Sequence, residues 1–162
     1  MKVISEKQLI GTSRDVKFKQ GTSLRYLLNS DNMGFSLFKT IIPKGEIGNW
    51  HYKNHLEACY CIKGKGVLTN LSNGQSFKVN PFDCYVLDKN DNHTFEAIED
   101  IILISVFNPP LSGREIHSKD NSYSESPFFD IMAEEIINLT SNIDCNFEKK
   151  RIIKEILTLK NK

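Results

Sequence analysis

Between about Met33 and Phe107 the chain is a succession of short β-prone runs, and this cadence restricts its fold more than any other feature. The runs are Gly34 to Ile42, Ala58 to Ile62, Gly66 to Asn70, Ser76 to Val79, Cys84 to Leu87, His93 to Ala97 and Ile101 to Phe107. Between them stand Pro43-Lys44-Gly45, Lys63-Gly64-Lys65, Ser72-Asn73-Gly74, Pro81-Phe82-Asp83, Lys89 to Asn92 and Glu99-Asp100, residue types that turn a chain. Many short strands at regular spacing predict an all-β sandwich or barrel. At 162 residues there is room for one domain with a single sizeable core and a short appendage.

The appendage is visible as a change of pattern. From Glu125 to Lys162 the apolar residues Phe128, Phe129, Ile131, Met132, Ile136, Ile137 and Leu139, then Phe147, Ile152, Ile153, Ile156, Leu157 and Leu159, recur at near-helical spacing. Two amphipathic helices separated near Thr140 to Asn146 are expected, a helical extension over 125–162 beside a barrel over 1–124. The extension is not expected to be an independent domain, and its lysines read as a solvated face.

Charge narrows the function classes. Twenty-one basic and twenty acidic side chains leave a net charge of +1, so no footprint for nucleic acid or an anionic membrane is present. No apolar segment approaches the roughly 18 to 20 residues of a spanning helix, and the amino terminus has no leader pattern. A cytoplasmic protein acting on a small molecule is expected. The cysteines Cys59, Cys61, Cys84 and Cys145 form no CxxC pair and read as reduced thiols, with Cys59 and Cys61 on one buried strand face.

Chemistry concentrates in Trp50 to Gly66, WHYKNHLEACYCIKGKG. Residues two apart on a strand share a face, so His55 and Glu57 would point the same way. Gly45, His51, His55, Glu57 and Gly64, followed by Gly74, Pro81 and His93, resemble the paired motifs of the cupin jelly rolls. In the second motif Asp83 stands where the usual glycine would be, and the spacing to the histidine is stretched. A carboxylate, an imidazole and a phenolate oxygen, from Glu57, His93 and Tyr85, would suit ferrous iron or zinc and leave positions open for a substrate. Taken alone, each of these residues is more simply a satisfied core or interface side chain.

A narrower resemblance follows from GTSRDV (Gly11 to Val16), MGFSL (Met33 to Leu37), YKNHLEACYCIKGKG (Tyr52 to Gly66), LDKNDNH (Leu87 to His93) and VFNPPLSGREIH (Val106 to His117). In order and spacing these pieces are similar to the ectoine synthases, over about residues 1 to 124. The resemblance implies a small, dimeric, metal-dependent cupin, a hydro-lyase that closes N-γ-acetyl-L-2,4-diaminobutyrate into ectoine, a compatible solute, with loss of water. It places the metal, Fe(II) or alternatively Zn(II), on Glu57, Tyr85 and His93. Tyr52, His55, Glu115 and His117 match the family's polar cavity residues, with proton transfer assigned chiefly to Tyr52 and Glu115 and orientation to His55 and His117. His51 is left without a ligand role.

Ser23, Arg25, Thr40, Ser105 and Phe107 fall where the family forms its substrate pocket, and an arginine suits a substrate carboxylate because its fork binds both oxygens. Three positions depart from the pattern. Gly21 stands where the family usually carries a tryptophan, Leu24 where it carries an arginine, and Ser105 where a cysteine is ordinary. Ectoine formation is therefore weighed against ring closure or hydrolysis of another amino-acid amide, and against a non-catalytic cupin that binds a metabolite.

Overall fold

The computed structural model describes residues 1–113. The expected helices of 125–162, and Glu115 and His117, lie outside the described residues. A one-turn helix α1 (Glu6–Leu9) is followed by strands β1 (Asp15–Phe18), β2 (Gly21–Leu27), β3 (Ser36–Ile42), β4 (Ile47–Trp50), β5 (Leu56–Lys63), β6 (Gly66–Asn70), β7 (Ser76–Val79), β8 (Cys84–Leu87), β9 (His93–Ala97) and β10 (Ile101–Asn108). They form a six-stranded sheet in the order β1-β2-β3-β10-β5-β8 and a four-stranded sheet in the order β4-β9-β6-β7. Every strand pair is antiparallel. Among the described residues no helix is long and apolar enough to cross a membrane.

Strand β10 shows why the chain folds this way. Its sequence IILISVFN buries alternate residues, placing Ile101, Leu103, Ser105 and Phe107 on the inner face, and period-two alternation commits a strand to one register. It lies between β3 and β5. Inner residues of the two sheets, among them Phe38, Ile42, Leu68, Phe95, Ile101 and Leu103, make one continuous core. The turn from β5 to β6 depends on Gly64, whose φ of +85° suits glycine and whose absent Cβ would lie 2.3 Å from the Asp100 carbonyl oxygen.

After β10 the chain is sewn back across the first strands. The Leu111 N–H donates to Ser36 Oγ at 2.7 Å, the Asn29 N–H donates to the Leu111 carbonyl at 2.8 Å, and Arg25 Nη1 donates to the Gly113 carbonyl at 2.7 Å. Ser36 and Leu111 are both fully buried. These bonds fix the start of the segment that leads on to Glu115.

Candidate active site

One cavity of about 40 Å³ opens between the sheets, lined by Phe18, Ser23, Phe38, Thr40, Ile42, Trp50, Tyr52, Glu57, Tyr85, His93, Leu103, Ser105 and Phe107. The register explains how distant residues meet there. On the six-stranded sheet Ser105 pairs with Cys59, and Cys59 pairs with Tyr85; the next row joins Phe107 to Glu57. From the four-stranded sheet, Trp50 and His93 are direct cross-strand partners.

Glu57 is 7 % exposed. Its carboxyl accepts a hydrogen bond from the Cys59 thiol at 3.1 Å, and Cys59 Sγ lies 3.1 Å from Ser105 Oγ. Burial pushes the Glu57 carboxyl up to about 7, against the opposing pull of hydrogen bonds from Cys59 and Ser105. Burial likewise holds the Tyr85 hydroxyl well above its ordinary value, with Cys59 and Glu57 adding to the effect. No cation faces Glu57 among the described residues.

His93 is buried, and its Nδ1 stands 2.9 Å from the Asp91 carbonyl. A carbonyl only accepts, so Nδ1 carries the hydrogen and Nε2 keeps its lone pair, the state in which imidazole binds metals. Burial lowers the His93 pKa while the Asp91 carbonyl pulls it back up. The donor set is chemically compatible with a divalent cation: a carboxyl, a phenol and an imidazole line one small cavity, and the charged form of the carboxyl is disfavoured for want of a positive partner among the described residues.

Tyr52 and Phe107 meet edge to face at 5.3 Å, and Tyr52 lies 6.2 Å from the His93 ring. The Tyr52 to His55 turn is clamped by Asn90, whose Nδ2 donates to the carbonyls of Tyr52 at 2.8 Å and His55 at 3.2 Å. His55 precedes β5 rather than lying on it. Its Nδ1 donates to the Pro109 carbonyl at 2.9 Å, and the residue is buried outside the cavity wall.

Of the residues expected from sequence, Tyr52, Glu57, Tyr85, His93, Ser23, Thr40, Ser105 and Phe107 come together in the cavity. Arg25 does not line it. Its guanidinium is buried over the Phe38 ring at 5.3 Å and bound to Gly113, while Arg25 Nε and Ser23 Oγ are buried with no hydrogen-bond partner among the described residues. Trp50, Phe18 and Phe38, which the sequence did not single out for the site, add three further aromatic rings to the wall. The signal for Trp50 was Gly48, two residues earlier on the same strand face, where a missing side chain makes room for a large one.

A sequence model described as Ectoine synthase matches residues 1–127. The L-ectoine synthase of Desulfatibacillum aliphaticivorans is 49% identical over 117 residues, covering 71% of this chain and 90% of the relative. That of Alkalilimnicola ehrlichii is 44% identical over 125 residues, covering 76% of this chain and 94% of the relative. The crystal structure of ectoine synthase from P. lautus is similar at a TM-score of 0.70 and 36% identity, over 75% of this chain and 87% of that one. KdgF from Halomonas sp., at 16% identity and a TM-score of 0.51, shares the fold alone, over 59% of this chain and 84% of that one. With a jelly roll of two antiparallel sheets, a buried polar cavity between them and a match across residues 1–127, this chain belongs to the ectoine synthase family of cupins.

Proposed function

We propose that the protein closes N-γ-acetyl-L-2,4-diaminobutyrate into ectoine, releasing water, with a divalent metal held by Glu57, Tyr85 and His93. The observation that carries this reading is a buried carboxyl with no cationic partner among the described residues, sharing a small cavity with a phenol and an imidazole whose Nε2 is left to coordinate. Such a metal supplies Lewis acidity toward the amide carbonyl. Ferrous iron is the reading taken over from the resemblance, and zinc is the second outcome of a metal analysis.

The remaining chemistry falls to the chain. In the reaction the substrate's α-amine bonds to its own acyl carbon, and the acyl oxygen departs as water with two hydrogens. Both partners sit in one molecule, so a cavity that holds it folded removes much of the entropic barrier. Phe107 and Phe38 supply apolar wall, and Ser23 Oγ is a buried hydroxyl available to the substrate's polar atoms. Tyr52 is the proton-handling group within the cavity wall, held by Phe107 and by the Asn90 clamp on its backbone. Glu115 is assigned the partner role from the resemblance, and His55 and His117 orient the pair; the bond from His55 Nδ1 to Pro109 supports that role by fixing the ring. Arg25 is assigned to the substrate carboxylate from the resemblance alone, its guanidinium lying over Phe38 and on the Gly113 carbonyl.

A second reading, ring closure or hydrolysis of another amino-acid amide, is favoured by Arg25 standing behind the wall rather than in it. Metal analysis of the purified full chain, then anaerobic incubation with Fe(II) and the acetylated diamino acid, separates the two. Ectoine is expected by proton NMR, with Glu57→Gln losing both metal and product. Metal-loaded protein that yields no ectoine but turns over a different amide would establish the second reading.

A further inference from the structure

We propose that Trp50 sets the size of the acyl group the site accepts. The inference rests on the ring-closing reading above. Trp50 ends β4, is 9 % exposed and contributes the largest side chain of the cavity wall. Its ring lies over Gly48, where an added Cβ would stand 2.1 Å from the indole carbon Cη2, so any side chain at position 48 would evict the ring. On its other side the Phe18 ring meets it edge on, with centroids 6.3 Å apart and planes at 72°. Held between a glycine floor and an aromatic edge, the indole has little room to swing away.

Its neighbours say which part of a substrate it meets. Trp50 is the cross-strand partner of His93, and the two rings are 6.1 Å apart. In the reading above, the carbonyl to be attacked belongs beside Glu57, Tyr85 and His93, and the acyl substituent is bonded to that same carbon. The space enclosed by the described residues is only about 40 Å³, room for the reacting acyl group rather than for the whole substrate. The wall therefore decides what fits.

Position 21 cannot take over this duty. A Cβ on Gly21 would lie 2.1 Å from the Ile41 carbonyl oxygen, a backbone atom that cannot yield without moving β3. An indole at position 21 is excluded here by the packing of β2 on β3, and the chain's single tryptophan stands at position 50. Apolar pockets discriminate one methylene by roughly 10-fold to 200-fold.

The test compares N-γ-acetyl, N-γ-propionyl and N-γ-butyryl diaminobutyrate with metal-loaded full-length protein, reading ring formation by NMR and binding by calorimetry. For the native chain, kcat/KM and affinity are expected to fall by about tenfold or more at the first added methylene. In Trp50→Leu the ratio of propionyl to acetyl should rise by a similar factor, with Trp50→Phe intermediate. Gly48→Ala, which pushes the indole inward, should weaken even acetyl binding. Because the chain has one tryptophan, its emission in the native protein should shift as the acetyl compound saturates.

An unchanged acyl preference in both Trp50 variants, or unchanged emission at saturation seen by calorimetry, would overturn the proposal. Graded binding without ring product would retain the size filter while defeating the ring-closing reading. Absence of binding by every acyl compound would defeat both.

Discussion

At the scale of single residues, Glu57 is the side chain whose environment says most. A buried carboxyl raised to about 7 by burial is protonated more readily in the folded chain than in the unfolded one. Its favourable contribution is complete below pH 4.5 and disappears as pH rises through 7. In chelator-treated protein at pH 8, Glu57→Gln should therefore raise stability, by an amount on the order of 3 kcal/mol at most, and the gain should vanish near pH 5. Added Fe(II) or Zn(II) should raise the melting temperature of the native chain and leave that of Glu57→Gln unmoved. A metal-free variant less stable than the native chain at pH 8 would contradict this account of the site. Phe82 makes a simpler case. It is 74 % exposed and holds a φ of +76°, which costs a bulky residue about 1 to 2 kcal/mol. Phe82→Gly regains most of that less about 0.5 to 1 kcal/mol of chain entropy, so the urea midpoint should rise. Much of the cavity lining was legible at this scale because Glu57 and His93 stand in cupin-like spacing and Tyr85 came with the family resemblance. Trp50 was not, since a tryptophan on an apolar face is ordinarily core and the close approach of its ring to Gly48 is seen only in the structure.

At the scale of elements, the runs Gly66 to Asn70, Ser76 to Val79, Cys84 to Leu87 and His93 to Ala97 were readable to the residue, as β6 to β9. Alternation and turn residues mark their ends without help from distant contacts. β1, β2 and β4 were not readable. The inner face of β2 carries Ser23 and Arg25, because it borders the cavity and a guanidinium bound to Gly113, so polarity points inward and hides the period. β4 buries a glycine beside its tryptophan for the same reason. The amino-terminal elements are joined instead by a charge clasp. The Asp31 carboxylate accepts from Lys2 Nζ at 2.7 Å, Arg14 Nη1 at 2.8 Å and the Leu28 N–H at 3.0 Å. Burial would raise its pKa, but these three donors together outweigh that and hold it at about 2. The clasp contributes fully above the unfolded value of 3.8 and is lost as pH falls through about 2. Asp31→Asn should cost about 1 to 2 kcal/mol at pH 6, once solvent screening is discounted. Urea titrations should show the two proteins converging near pH 2, and a gap that persists there would mean that the clasp acts through shape rather than charge.

At the scale of the whole molecule, the six-stranded sheet has two unlike faces. Its inner face closes the core and cavity, while its outer face presents Leu56, Tyr60, Ile62 and Val86, each more than two-fifths exposed. Beside them a shallow depression is lined by Tyr26, Leu37, Lys39, Ile62, Ile102 and Ile104. This largely apolar outer face spans β3, β10, β5 and β8, with the ion-paired Glu6 and Lys39 in the lining of the depression, and an exposed apolar patch on a folded chain marks an interaction surface. A second copy of the chain is the occupant we expect, since a sheet face whose apolar residues sit about one central strand can meet itself across a two-fold axis. The cavity faces the other way, so association would leave the site open within each copy. Light scattering on the full chain should give a dimer. Tyr60→Glu combined with Ile104→Glu should give a monomer, because charges buried on both sides of such an interface lack partners. A native chain that runs as a monomer at every concentration, or a double variant that stays dimeric, would assign this face to some other use. If the dimer does part, the binding of acetylated substrate by the monomer then shows whether each jelly roll carries a whole site, as the confinement of Glu57, Tyr85, His93 and Trp50 to one cavity of one chain predicts.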